Sequence, residues 1–267
     1  MSPINDEDFL KRIQAGEKIE AADAMPEEYR HALLRLLEAQ AIGELSGAYS
    51  GMEWIAKAPT IQEKVLMAQI IRDEVRHAGV LYRCLEELGV DVENRVKELD
   101  EAYDLIHVES KKPASETEKK NVLRSDDIRR VNIQNFRIET WVECAMVNFC
   151  LDRYAAHLLT DAEKSSYNPL VKACQSILKE EAMHISHGDA WVERLAKDPK
   201  TRQEVQQALN KWFPRTMHQF EPVDSPENTI YKKWRLMVRD YNDLREDFHK
   251  EIKERVACAG LQMPSWK

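Results

Sequence analysis

Glycine is scarce. Eight in 267 residues, about 3% where about 7% is usual, leave few sites for the positive-φ corners of tight hairpins, which excludes hairpin-rich sandwiches and barrels. Long apolar runs are missing too. No stretch approaches the ~18–20 residues of a membrane-spanning helix, and the opening MSPINDEDFLKRIQ lacks the apolar centre of a secretory signal. A cytoplasmic protein without a membrane partner is expected. Positive charge is in the minority, 39 Lys and Arg against 47 Asp and Glu for a net charge of −8, so nucleic acid is not an expected partner. There is no CxxC pair among Cys84, Cys144, Cys150, Cys174 and Cys258. Each lies in a helical-looking stretch and reads as a buried free thiol in a reducing compartment.

Charge is what abounds: 32% of residues are Asp, Glu, Lys or Arg, against about 25% in an average protein, which with the low glycine points to a mainly helical chain. After a polar arm over 1–25, the pattern predicts helices over about 26–58, 60–89, 126–159 and 161–196, with accessory helices over about 199–213 and 229–258. Pro59 ends the first. Thr60 with Glu63, and Thr160 with Glu163, have capping-box spacing, and Ser125-Asp126 supply N-cap chemistry for the third. Pro169 reads equally as a first-turn proline or a kink. VESKKPASETEKKN, residues 108–121, reads as a loop, and 93–104 as a short helix inside the crossover. The expectation is all-α: one four-helix bundle over 1–267, with a long crossover and accessory C-terminal helices. The 26–89 and 126–196 pairs, each ending in a Glu-x-x-His helix, read as a structural duplication.

Glu-x-x-His occurs at Glu28/His31, Glu74/His77, Glu181/His184 and Glu246/His249. Helix phase separates them. Steps of three and four from Glu74/His77 meet Met67, Ile70, Leu81 and Cys84; from Glu181/His184 they meet Cys174, Ile177, Gly188 and Trp191. The other two pairs continue into charged positions and read as solvated faces. The remaining long helices each place one glutamate on an apolar stripe, Glu44 between Ala41 and Ala48, and Glu143 between Thr140 and Val147. Buried carboxylates are prohibitive without counter-charge. One Glu from each of two helices with Glu-x-x-His from two others is the signature of ferritin-like di-iron and di-manganese proteins. The set Glu44, Glu74, His77, Glu143, Glu181 and His184 is therefore expected to hold two iron ions, or manganese.

Around it, Asp73 reads as an acceptor for a ligand histidine across the bundle or as a plain surface acid. Glu139 and His187 read as extra ligands or relays, or as surface and packing residues. Glu180 sits off the stripe, so Glu181 is preferred as the partner of His184. Trp54, Trp141, Trp191 and Tyr154 read as core.

The runs GELSG with WIAKAPT (43–60), RDEVRHAGVLY (72–82), WVECA (141–145) and KEEAMHISHG (179–188) resemble the catalytic oxygenase subunits of bacterial phenylacetyl-CoA epoxidases, multicomponent di-iron monooxygenases. The resemblance spans about residues 20–260 and carries the family's ligands onto the same six positions. Two departures stand out: the family has aspartate where this chain has Glu143, and a lysine one turn before Glu74 where this chain has Ile70. The resemblance implies a di-iron monooxygenase that inserts one oxygen atom into an aromatic or unsaturated acyl-CoA substrate, such as an arylacetyl thioester. It also implies an oligomer, a separate reductase and a ligand-less paralogous subunit. The chain's own lack of a GxGxxG fingerprint or an iron–sulfur cysteine cluster agrees with a separate reductase. A di-iron or di-manganese oxidase or oxygenase of another reaction type, an iron-storage protein, and a non-catalytic partner subunit remain as alternatives.

Overall fold

The computed structural model describes residues 5–109, 136–222 and 224–266, with side chains for all of these but 102–109. Among them the chain is helical, and the one β-type pairing is a bridge between Ile19 and Tyr167. Helix α1 spans Asp6–Gln14, inside what the sequence reads as an arm; Asn5 caps it and Phe9 and Ile13 are buried. Helices α2 (Glu27–Lys57) and α3 (Ile61–Glu87) form a long pair. Ala58 stands between them in extended conformation, as the residue before a proline must. Thr60 accepts a hydrogen bond from the Glu63 amide to start α3. Helix α4, Val92–Glu109, comes after Gly89, whose φ of +81° ends α3 in the left-handed region.

The third bundle helix differs from expectation. Of the expected 126–159, residues 126–135 lie outside the described residues, and 136–140 are not helical. Helix α5 (Trp141–Val147) begins only after Thr140, whose side chain accepts from the Glu143 amide. It passes into a π-helical turn, Asn148–Asp152, and continues as α6, Arg153–Ala162. Thr160 is inside α6 and caps nothing. Instead α7 (Asn168–Lys197) starts with Pro169 in its first turn. Most of the expected 108–121 loop, 110–121, is also outside the described residues.

Helices α8 (Arg202–Met217) and α10 (Tyr241–Cys258) pack against α5–α7, and α9 (Pro226–Lys233) packs against α2. The expected 229–258 helix is thus broken. Arg235, at φ 52°, and the Asp161 carboxylate, accepting from the Val238 and Arg239 amides, turn the chain between α9 and α10. Ile19 joins the α6–α7 turn through its backbone, donating to the Ser166 carbonyl and accepting from the Asn168 amide. Four cysteines are buried as free thiols; Cys258, expected inside, is exposed at the end of α10. Trp54 and Trp191 are buried, with Trp141 and Tyr154 packed part-buried against the core.

Among the described residues, no helix is long and apolar enough to cross a membrane.

Candidate metal centre

The two Glu-x-x-His helices, α3 and α7, present their motifs to each other. His77 and His184 are fully buried, with ring centroids 5.7 Å apart. Ligand atoms of Glu44 (α2), Glu74 and His77 (α3) and Glu181 (α7) all lie within 4.8 Å of one another. His77 Nδ1 is 3.2 Å from Glu181 Oε1 and 3.4 Å from Glu44 Oε2. His184 Nδ1 is 3.1 Å from Glu74 Oε1 and 3.3 Å from Glu181 Oε1. Five of the six expected residues are thereby brought together. Gly47 makes room for one of them: a Cβ there would stand 3.1 Å from Glu74 Oε2.

Glu143 is the exception. Its Oε1 accepts from Lys211 Nζ at 2.6 Å and its Oε2 from the Glu139 amide at 3.0 Å. Both oxygens are engaged at the start of α5, and Glu143 is not in the cluster of ligand atoms. With the helix beginning at Trp141, the third residue of its first turn serves the helix end and a lysine. The acid that α5–α6 does turn inward is Asp152, at the end of the π-turn. It lines one cavity together with Glu44, Glu74 and Glu181, and Asn148 Nδ2 donates to its Oδ2 at 2.7 Å. Sequence phase missed it because a π-turn adds a residue and rotates the rest of the helix by about 100°.

The outer nitrogens of the two imidazoles are matched in mirror fashion. His77 Nε2 lies 2.8 Å from Glu180 Oε2, and His184 Nε2 faces Asp73 Oδ2 at 3.8 Å. Each acid immediately precedes the motif glutamate of the opposite helix. Asp73 is buried and also accepts from Arg72, whereas Glu180 is part-exposed and bonded to Arg76. Asp73 thus meets the expected histidine beyond hydrogen-bond distance, and Glu180 holds the closer position.

His187 bonds Glu63 Oε2 at 3.0 Å beside Trp191 Nε1 at 2.9 Å, and Glu139 pairs with Lys211 at 2.9 Å. Neither joins the cluster.

The charged groups shift one another. Burial raises the Glu44 and Glu74 carboxyls above their usual range. Burial and then the neighbouring Glu181 charge push Asp152 up to about 7. For Glu181 burial also acts upward, but His184 and His77 outweigh it and hold the carboxyl low. Burial pulls both imidazoles down, yet the carboxylates reverse this. Glu181 and Glu44 carry His77 to about 10, and Glu181 and Glu74 carry His184 to about 11. The buried acids thus favour positive charge on the two imidazoles.

Divalent cations are the natural replacement. Both Nδ1 atoms face the carboxylates, are buried, and make no hydrogen bond among the described residues. Such lone pairs, with clustered carboxylates and no thiolate, fit iron or manganese rather than structural zinc or calcium.

Beside the cluster lies a cavity of about 450 Å³. Met67, Ile70, Val147, Leu151 and Tyr154 contribute apolar wall, and Ile70 stands where the resemblance had placed a lysine.

Three likenesses accompany this geometry. The family model described as "Phenylacetic acid catabolic protein" matches residues 6–267. One of the subunits of 1,2-phenylacetyl-CoA epoxidase from Escherichia coli (strain K12) is 26% identical over 263 residues, covering 97% of this chain and 77% of that protein. A solved structure described as protein 19 with aldehyde deformylating oxidase activity, from Synechococcus, superposes with a TM-score of 0.59 at 14% identity. It covers 91% of this chain and 95% of its own, and this likeness concerns the ferritin-like fold.

Proposed function

The chain belongs to the phenylacetic acid catabolic protein family, and from that premise we propose that it is the oxygenase subunit of a multicomponent di-iron monooxygenase. Its substrate would be an arylacetyl-CoA or related thioester, and its product a ring epoxide. The observation that carries the reading is the convergence of Glu44, Glu74, His77 and Glu181, with His184 against them, at one end of an apolar cavity. With Asp152 they would make four carboxylates and two imidazoles for two ions. This replaces Glu143 in the expected set.

Glu44, Glu74, His77, Asp152, Glu181 and His184 would hold two iron ions, which when bound would supply reductive activation of O2 and insertion of one oxygen atom. The chain's own residues prepare it. Glu180 is placed to accept a hydrogen bond from His77 Nε2–H, which favours the tautomer whose Nδ1 lone pair faces the carboxylates. Asp73 provides the corresponding negative charge opposite His184 Nε2. Met67, Ile70, Val147 and Leu151 give the cavity beside the cluster an apolar wall, and its size suits the acyl end of a thioester. Electrons come from a separate reductase, and the E. coli relative is by its name one component of several.

The test is anaerobic loading of the purified full chain with Fe(II), a metal assay, then 18O2 with a reductant and phenylacetyl-CoA. About two irons per chain and one labelled oxygen in the product are expected. Fewer than about one ion per chain, with iron or with manganese, overturns the reading. O2 consumption without labelled thioester would instead mark an oxidase of another reaction type. Neither metal nor turnover would mark a non-catalytic partner subunit.

A further inference from the structure

The residue after Asp152 is an arginine with 1% of its surface exposed. A buried guanidinium persists only when its donors are matched, and those of Arg153 are matched by three separate elements. Nη1 donates to the Phe149 carbonyl inside the π-turn. Nη2 donates to Asp189 on α7 at 2.8 Å, and Nε to Glu251 on α10 at 2.6 Å. Its carbon also lies 5.0 Å from the Phe149 ring centroid. On the other side of the same turn, Gly188 of α7 approaches so closely that a Cβ would stand 2.5 Å from the Phe149 nitrogen.

A π-turn is rare and keeps its extra residue only where surroundings hold it. Asp152 points into the cavity because that residue is there. Arg153 supplies a donor to the turn from outside the helix ladder and ties it to α7, five residues beyond His184, and to a helix remote from the ligands.

We propose that Arg153, with Asp189 and Glu251, is a positioning clamp that holds the π-turn and so aims the Asp152 carboxylate at the metal centre. This makes the C-terminal helix α10 part of that centre's support. The proposal rests on the dimetal reading above. No group of the clamp touches metal or substrate.

The test uses the full chain without metal and two variants. Arg153→Lys keeps the charge but loses the fork. Glu251→Gln keeps an acceptor but removes the negative charge of one partner, at a part-exposed position where folding is retained. Amide hydrogen exchange is followed over 148–153 and over α2 and α3, and Co(II) is then titrated by its absorption. For the unaltered chain, two equivalents are expected to bind. In each variant exchange over 148–153 rises at least about tenfold while α2 and α3 are unchanged, and the second equivalent weakens by about 10- to 100-fold. A merely structural clamp would lower the unfolding midpoint and raise exchange throughout, with both equivalents unchanged; that result overturns the proposal. Unchanged exchange and unchanged metal binding also overturn it, leaving the dimetal reading intact. An unaltered chain that binds no Co(II) overturns both.

Discussion

Glu180 Oε2 stands 2.8 Å from His77 Nε2, and so an acid on one motif helix orients the histidine of the other. Asp73 faces His184 across the same interface at 3.8 Å. The two Glu-x-x-His segments are therefore each an acid longer than their motif, Asp73-Glu74 and Glu180-Glu181, and the pair is reciprocal. Arg76 and His77 hold the Glu180 carboxyl below its usual range, against a burial effect in the other direction. Glu180→Ala is expected to leave the helix content unchanged and to weaken metal binding by roughly 10- to 100-fold, read by Fe(II) or Mn(II) titration. Glu180→Gln, which still accepts a hydrogen bond, should recover part of that loss.

Asp152 and Glu143 make opposite predictions. Asp152→Ala should drop the metal content from about two ions per chain toward one with little change in thermal midpoint. Glu143→Ala should keep both ions and lose roughly 1 kcal/mol of stability, because it removes the acceptor of the Glu139 amide and the partner of Lys211. Metal analysis beside thermal unfolding decides. If instead Glu143→Ala lost an ion and Asp152→Ala did not, the assignment would be reversed.

The part of the site legible in the sequence is the part carried by regular helices. Along α2, α3 and α7 the three-and-four stepping holds, and it led to Glu44, Glu74, His77, Glu181 and His184. It failed where the backbone departs from 3.6 residues per turn. The stepping that places Glu143 between Thr140 and Val147 assumes that one phase runs on through the helix, and the turn at Asn148–Asp152 breaks it. The start of α5 was missed for a different reason. Thr140-x-x-Glu143 has the spacing recognised at Thr60-x-x-Glu63, but the apolar pattern before it invited an earlier N-cap at Ser125-Asp126. Glu180 was set aside because it lies off the apolar stripe. A carboxylate serving a histidine on another helix sits at the rim of that stripe, where solvent-facing acids also sit.

Two glycines in the ligand helices differ only in what surrounds them. A Cβ at Gly188 would meet the Phe149 nitrogen at 2.5 Å and the Asn148 carbonyl carbon at 2.8 Å, backbone atoms that cannot swing aside; at Gly79 it would meet nothing within 4 Å. Gly188→Ala is expected to cost about 2 kcal/mol or more and to disturb the π-turn. Gly79→Ala should gain up to about 1 kcal/mol from helix propensity. Urea unfolding of the two variants checks both signs, and a Gly188→Ala protein as stable as the unaltered one would mean the π-turn is not packed as described.

The clamp on α10 also gives a pH signature. Hydrogen bonds from His157 and Arg153, set against burial, hold the Glu251 carboxyl down at about 2, from an ordinary 4.5. A carboxyl whose folded pKa lies below its unfolded one binds its proton more readily when unfolded. Its contribution is complete above about pH 4.5 and is lost as the pH falls toward 2. Glu251 is more than a third exposed, so solvent screening reduces the full linkage to roughly 1–2 kcal/mol. Glu251→Gln should therefore be less stable by about that amount at pH 7, with the gap closing between pH 4.5 and 2. All other carboxyls are common to both proteins and cancel in the difference. Urea midpoints at pH 7, 4.5 and 3 measure it. A gap that stays constant across that range would mean that Glu251 acts through shape alone and that its charge has no part in holding Arg153.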